Sequence, residues 1–309
     1  MNPKVTLIVP TYNAGNLWES WIKNLEEQEF ILDKILIVDS SSKDKTIEKA
    51  KNSKLKNLEI KVISPLEFDH GGTRNSAARD NKDSDIIIFI TQDAILSSKD
   101  SLEKIVRNFK DENVSGVYGR QLPHIDATPI AKHARLFNYP DLRVTKDKTL
   151  IDKIGFKVCF MSNSYSAFRT RDFIEFGGFP EKNILSEETL LASKLILGGK
   201  KIIYENEAKV NHSHNYSFSE EFKRYFDTGV FHAKNQWIIN SFGSPNGEGF
   251  KFIVSELKFL LKNKNYKWII KSFIYTIMKL FGFKLGQKYK LLPKRMVVLC
   301  SMHKNYWNE

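Results

Sequence analysis

The sequence predicts an α/β fold organised on a parallel sheet and followed by a basic amphipathic helical segment. Two observations predict the sheet: short, nearly continuous apolar runs, and helical periods between them. A third predicts the appendage. From about residue 250 the chain becomes apolar and lysine-rich together.

The elements follow in order. KVTLIVP reads as a strand, residues 15–28 as a helix, KILIVD as a strand, residues 44–53 as a helix and EIKVIS as a strand. A Gly-opened helix then runs from Gly72 to about Asn81, and DIIIFIT is the next strand. A sheet of this kind binds ligands at the C-terminal ends of its strands. That places Thr11–Asn13, Asp39–Ser42 and Gln92–Asp93 along one rim. Residues 114–185 are less periodic, and long irregular stretches inside a compact domain are usually functional. EETLLASKLILGGKK then reads as a helix closed by Gly198 and Gly199, followed by the strand KIIYENEAKV.

Charge is concentrated. Of the formal net charge of +12, residues 250–295 carry +11: twelve Lys or Arg against Glu256 alone. The basic character therefore points to a partner of that segment. Its longest apolar stretch, 266–283, is broken by Lys267, Lys271 and Lys279, which argues against a membrane-spanning helix. Aromatic residues accompany the lysines. A helix pair lying on an anionic membrane surface fits this pattern; a solvated lysine face on packed helices is the alternative. Nucleic acid is a poor fit, because the segment is too apolar and carries no recognised binding motif. Cys159 and Cys300 make no metal spacing and read as reduced thiols of a cytosolic protein. The start of the chain reads as a strand, with no charged-then-apolar leader.

Four clusters carry candidate chemistry. Asp93 ends an apolar strand, where carboxylates commonly hold a hard divalent metal; a cap or solvated turn is the plainer reading. In FDHGGTRNSAARD, residues 68–80, Gly71 and Gly72 open a helix whose N–H groups, with Arg74 and Arg79, suit a diphosphate. The segment is neither a Walker loop nor a dinucleotide fingerprint, which argues against kinases and dehydrogenases. Glu187 and Glu188 open a helix, either as dipole partners or as a general base. In VNHSHNYS, His212 and His214 alternate, so a strand would turn both to one side.

Taken together, PTYN, VDSSSKD, the arginine-bearing helix, TQDA, GGF, the acidic pair and the later His resemble family 2 glycosyltransferases, over about residues 4–235. DHGGTRN, TQDA, GGFPE and HSHNYS…RYFDTGVFHA look like bacterial rhamnosyltransferases of surface polysaccharide synthesis, such as O-antigen or capsule. The resemblance implies a GT-A, Rossmann-like catalytic domain over residues 1–245 and a membrane-associating region over 246–309. It implies an inverting transfer from dTDP-L-rhamnose to a glycan on a polyprenyl diphosphate, at the inner face of the bacterial plasma membrane. A UDP-hexose or GDP-mannose donor and a non-catalytic nucleotide-sugar-binding scaffold are the alternatives. By the same resemblance, Pro10, Thr11, Tyr12, Asn13, Asp39 and Ser41 would hold base and ribose, with Asp39 accepting from the thymine N–H. Arg74 would approach the phosphates and Gln92 the ribose or sugar. Asp93 would ligate Mg²⁺ or Mn²⁺ with His212 or His214. Glu188 would be the base, with Glu187 as fallback, and Arg224 would bind phosphate or acceptor. The usual Asp-x-Asp is here Thr91-Gln92-Asp93. KRYFD is a loose counterpart of the Gln-x-x-Arg-Trp of processive synthases, which favours transfer of a single sugar.

Overall fold

A computed structural model describes residues 3–243 and 247–307. The expected division of the chain at residues 245 and 246 lies outside the described residues.

Nine strands form one sheet: β1 (Val5–Thr11), β2 (Lys34–Asp39), β3 (Leu58–Val62), β4 (Ile86–Ile90), β5 (Ile95–Leu96), β6 (Val114–Leu122), β7 (Val144–Lys146), β8 (Tyr165–Arg169) and β9 (Lys201–Asn211). The order is β3-β2-β1-β4-β8-β6-β9-β5, with β7 also on β9. The β3-β2-β1-β4 half is parallel, as the alternation of strand and helix predicts. The other half is mixed. β8 runs antiparallel between β4 and β6, so an all-parallel sheet is the wrong reading beyond residue 91. The irregular middle of the chain hides that reversal.

Helices α1 (Trp18–Glu26) and α2 (Thr46–Lys51) connect the first three strands, and α3 (His70–Asp80) precedes β4. Further along come α4 (Ser101–Val106), α5 (Pro129–Asn138), α6 (Ile151–Ile154), α7 (Thr170–Glu175) and α8 (Glu187–Leu197). Side chains alternate across the strands, so each face builds its own core. Leu7, Val9, Ile35 and Ile88 meet Trp18, Trp21 and Leu102 on one side. Ile8, Leu36, Ile87 and Phe89 meet Ala77, Phe173 and Leu191 on the other.

The C-terminal part is helical: α9 (Phe218–Lys234), α10 (Gln236–Phe242), α11 (Glu248–Lys262), α12 (Tyr266–Gln287) and α13 (Lys294–Cys300). Helix α9 starts where its sequence dictates. Ser217 accepts from the Glu220 N–H, and Glu220 accepts from the Ser217 N–H, a reciprocal capping box. Helix α12 packs against α9 backbone to backbone. A Cβ on Gly286 would lie 2.0 Å from the Phe226 carbonyl oxygen, and one on Gly282 2.4 Å from that of Phe222. Glycine is required at both places for this approach. The opposite side of α12 exposes Tyr266, Ile270, Phe273, Ile277 and Phe281. Among the described residues, no helix is long and apolar enough to cross a membrane.

Candidate active site

The rim begins at the register pair Thr11 and Asp39, the last residues of β1 and β2. Thr11 Oγ1 donates to Asp39 Oδ2 at 2.7 Å. The Ser42 N–H and hydroxyl donate to the two oxygens of the same carboxylate, each at 2.7 Å. Asp39 is completely buried. Its carboxylate organises the rim, and a thymine N–H would have to share an oxygen already in use. Ser42 Oγ accepts in turn from the Asn13 N–H at 2.8 Å. Asn13 and Ser41 both adopt positive φ, 45° and 58°, to make these turns. Pro10 fixes the strand end before Tyr12, whose ring projects into solvent.

Gln92 does not reach outward. Its Oε1 accepts from the Tyr12 N–H at 2.8 Å, and its Nε2 donates to the Tyr12 carbonyl at 3.1 Å. An amide offers one acceptor and one donor side, which matches the backbone of a single residue. The expected contact with ribose or sugar is replaced by a clamp on the PTYN loop.

Pairing of β5 with β9 assembles the next cluster. Ile95 lies opposite Asn211 in that ladder, so Asp93, just before β5, meets His212 and His214, just after β9. Asp93 Oδ2 is 3.5 Å from His212 Nε2 and 3.6 Å from His214 Nε2, and the two Nε2 atoms are 3.1 Å apart. Strand alternation does not explain the convergence, because β9 ends at Asn211. A point equidistant from the three atoms lies about 2 Å from each, which is a metal–ligand bond length.

The His212 tautomer suits this use. Gln121 Oε1 accepts from Arg135, which can only donate, and so also accepts from His212 Nδ1 at 2.9 Å. That leaves a lone pair on Nε2. Burial alone would raise the pKa of Asp93, but the adjacent His212, then Thr91 and His214, hold it well below the usual carboxylate range. Burial, then His212, push His214 down to about 4, so its ring is neutral at pH 7. One carboxylate oxygen and two imidazole nitrogens therefore offer three donor atoms to a divalent cation.

The acidic pair opens α8 after Ser186, itself in a left-handed conformation with φ 60°. The two carboxylates are not equivalent. Glu187 is buried and accepts from Asn163 Nδ2 at 3.2 Å, with Arg74 Nη1 at 3.4 Å. Burial would raise its pKa, but the Arg74 guanidinium outweighs this and keeps it ionised. Glu188, half-buried, has no hydrogen-bonded or ion-paired side-chain partner among the described residues. Burial and the neighbouring Glu187 charge push it up to about 8. It lies within electrostatic reach of Tyr139. Ser162 accepts from Gln121 Nε2 at 2.8 Å, and Gln121 holds His212, so a hydrogen-bonded path runs from Ser162 to the candidate metal cluster.

Two expectations for the segment 68–80 are corrected. Arg74 is not directed to a phosphate: it is buried and spends its Nη1 on Glu187 and on the His70 carbonyl at 2.8 Å. The α3 N-terminus is not an open anion cradle. Asp69 caps it by accepting from the Gly72 N–H at 2.5 Å. A Cβ on Gly71 would lie 2.1 Å from the Pro180 carbonyl oxygen, so that glycine serves packing. Arg79 points to solvent.

Arg224 belongs to the neighbourhood of the His pair. Its Nε donates to Glu221 Oε2 at 2.9 Å, and its guanidinium lies 5.6 Å from the Tyr216 ring. Tyr216 stacks on His214 at 5.1 Å. Glu221 also meets Lys279 of α12 at 3.4 Å, which ties this cluster to the C-terminal helices. Sequence reasoning missed Gln121, Asn163 and Tyr216. Tyr216 stood inside the quoted VNHSHNYS; Gln121 and Asn163 lie in the irregular stretches already suspected of function, with no spacing that singles them out.

A half-sheet with a polar rim, three donors placed to share a cation and a carboxylate with a raised pKa fit a glycosyltransferase, and the chain belongs to glycosyl transferase family 2, whose description matches residues 6–177. In particular it is 49% identical over 305 residues, 99% of this chain, to the O-antigen chain rhamnosyltransferase RfbN of Salmonella typhimurium, covering 96% of that protein. It is equally 49% identical over 307 residues to the O-antigen chain rhamnosyltransferase WbaN of Salmonella anatum, with 99% and 96% covered. The fold is of the GT-A type. It matches the mannosyltransferase PcManGT from Pyrobaculum calidifontis, solved with GDP-Man and Mn²⁺, with a TM-score of 0.64 at 17% identity, over 94% of this chain and 87% of that one. It also matches S. aureus TarS 1-349, solved with UDP-GlcNAc, with a TM-score of 0.52 at 15% identity, over 93% and 92%.

Proposed function

We propose that the protein is an inverting rhamnosyltransferase that moves L-rhamnose from dTDP-L-rhamnose to a hydroxyl of a polyprenyl-diphosphate-linked glycan in O-antigen synthesis. The observation that carries the donor sugar is the 49% identity, over nearly the whole chain, to two O-antigen chain rhamnosyltransferases. The geometry supports the roles. Base and ribose would lie on the rim formed by Pro10, Thr11, Tyr12, Asn13, Asp39 and Ser41. Glu188 takes the proton from the acceptor hydroxyl, whose oxygen forms the new bond to the anomeric carbon as the bond to dTDP breaks on the opposite face. Glu187 is bound to Arg74 and Asn163, so it positions the start of α8 rather than moving a proton. Arg224 is a fixed cation beside the His pair and suits a phosphate of donor or acceptor.

Asp93, His212 and His214 would hold the divalent cation. When bound, that ion supplies positive charge to the departing diphosphate. Two imidazoles in the set favour Mn²⁺ over Mg²⁺, which prefers an all-oxygen shell.

The exposed apolar stripe of α12, flanked by lysines, supports peripheral attachment to the anionic inner face of the plasma membrane. The test is calorimetric titration of dTDP, UDP and GDP with and without Mn²⁺, followed by transfer of labelled sugar. Tight, Mn²⁺-dependent dTDP binding with rhamnose transfer is expected. Preference for UDP or GDP would replace the donor by a UDP-hexose or GDP-mannose. Binding without transfer or hydrolysis would leave a nucleotide-sugar-binding scaffold.

A further inference from the structure

A cavity of about 1160 Å³ lies between the start of α3, the loop before α8 and the last nineteen described residues. It contains none of the rim or cation-cluster residues. Lys182, Lys234, Lys290, Lys294 and Lys304 line it, as do the facing rings of His70 and His303, 5.4 Å apart. Lys290 and Lys304 are exposed and have no acidic partner among the described residues. Three acids also line the cavity. Two of them are turned to backbone: Glu67 accepts from the Ser64 N–H and Asp69 from the Gly72 N–H. The third, Glu181, is exposed. Leu66, Ile184, Leu292 and Val297 add apolar wall.

The wall formed by the chain end is fixed in place. Buried Asp227 accepts from the Met302 and His303 N–H groups at 2.8 and 3.1 Å. Lys234 sits against the rings of Tyr289, Tyr306 and Trp307, at 4.6 Å from that of Tyr306. The indole N–H of Trp307 is buried and finds no acceptor among the described residues. The cavity also adjoins the reaction centre: His70 holds Arg74 through its carbonyl, and Arg74 holds Glu187.

We propose that this cavity is the subsite for the diphosphate of the prenyl-linked acceptor, an inference that rests on the lipid-linked reading above. Lys290 and Lys304 meet the diphosphate, and the apolar wall meets the first prenyl units. The lip exposes Leu291 and Met296 beside Lys290, Lys294 and Arg295, an apolar and basic mixture like that of α12. From there the glycan runs past His70 towards Glu188.

The test uses the full chain in EDTA with geranyl diphosphate as probe, followed by calorimetry and tryptophan fluorescence. Geranyl diphosphate should bind more tightly than pyrophosphate, and geraniol should not bind. Binding should persist when dTDP and Mn²⁺ are added without EDTA. The charge reversals K290E and K304E together should weaken it at least tenfold at unchanged melting temperature. Displacement by dTDP, equal binding of geraniol, equal binding of pyrophosphate as a free anion, or indifference to the charge reversals would each overturn the assignment. The parallel titration of dTDP separates the two readings. Lost dTDP binding with retained geranyl diphosphate binding faults the donor, and the converse faults the cavity.

Discussion

Gln92 and Tyr12 are joined by two hydrogen bonds of opposite direction, 2.8 Å from the Tyr12 N–H to Oε1 and 3.1 Å from Nε2 to the Tyr12 carbonyl. The residue in the middle of the Thr91-Gln92-Asp93 motif thus shapes the PTYN rim, while Asp93 turns to His212 and His214. Gln92→Glu keeps the acceptor and removes the donor. Nucleotide affinity should fall about five- to tenfold, consistent with roughly 1 kcal/mol for one such bond. Mn²⁺ affinity should stay unchanged. Calorimetry of both ligands on one sample checks this, and an equal loss for Mn²⁺ would refute the separation.

Gln121 sets the His212 tautomer. Gln121→Leu should lower Mn²⁺ affinity about 10- to 100-fold, the usual effect of losing a partner behind a metal-binding histidine. Asp93→Asn should abolish Mn²⁺ binding at calorimetric concentrations. Retained affinity in both variants would remove the ion from this cluster.

Glu188 should titrate in the activity profile. Its pKa is raised to about 8 by burial and by Glu187, so kcat should climb with pH through that value. Glu188→Gln should lose about 10²–10⁴ in kcat and flatten the limb. The sign for stability runs the other way. A carboxyl whose folded pKa exceeds its ordinary 4.5 favours the folded chain fully below that pH, and the contribution is lost as pH rises through about 8. Glu188→Gln should therefore gain stability relative to wild type above pH 8, read from melting curves at pH 6 and 9.

The junction of α9 and α12 depends on glycine. In Gly286→Val the new Cβ meets the Phe226 carbonyl oxygen at 2.0 Å. The helices must separate, at a cost of about 1–3 kcal/mol or more. A lowered melting temperature together with loss of the Lys279–Glu221 contact and reduced activity is expected. An unchanged melting temperature would mean that α12 is not seated on α9 in solution.

The outer face of α12 should behave differently. Phe273→Ser with Ile277→Ser changes two exposed residues and should leave melting and donor binding intact. Co-sedimentation with anionic liposomes should drop several-fold. Equal pelleting of variant and wild type would sink the membrane assignment.

Much of this was legible in the sequence because the signals are local. The first four strands, the Thr11–Asp39 rim and the acidic start of α8 each follow from a short pattern. Asp93 with His212 or His214 follows as a ligand set only from the resemblance to family 2 glycosyltransferases, not from the residue pattern itself. What escaped depends on distant pairing. Gln121 reaches His212 only because β6 and β9 lie side by side, with Gln121 opposite Val210. The buried pairing of Arg74 with Glu187, 113 residues apart, replaced a phosphate contact for the same reason. A cationic residue in a glycine-rich segment looks free until the chain that neutralises it is placed beside it.

The pairing of Ile95 with Asn211 also sets a timetable. Synthesis proceeds from the N-terminus, and Asp93 emerges long before the strand that carries the histidines into place. A chain arrested on the ribosome before that strand has no assembled Asp93–His212–His214 cluster, which is complete only once about two-thirds of the polypeptide has been made.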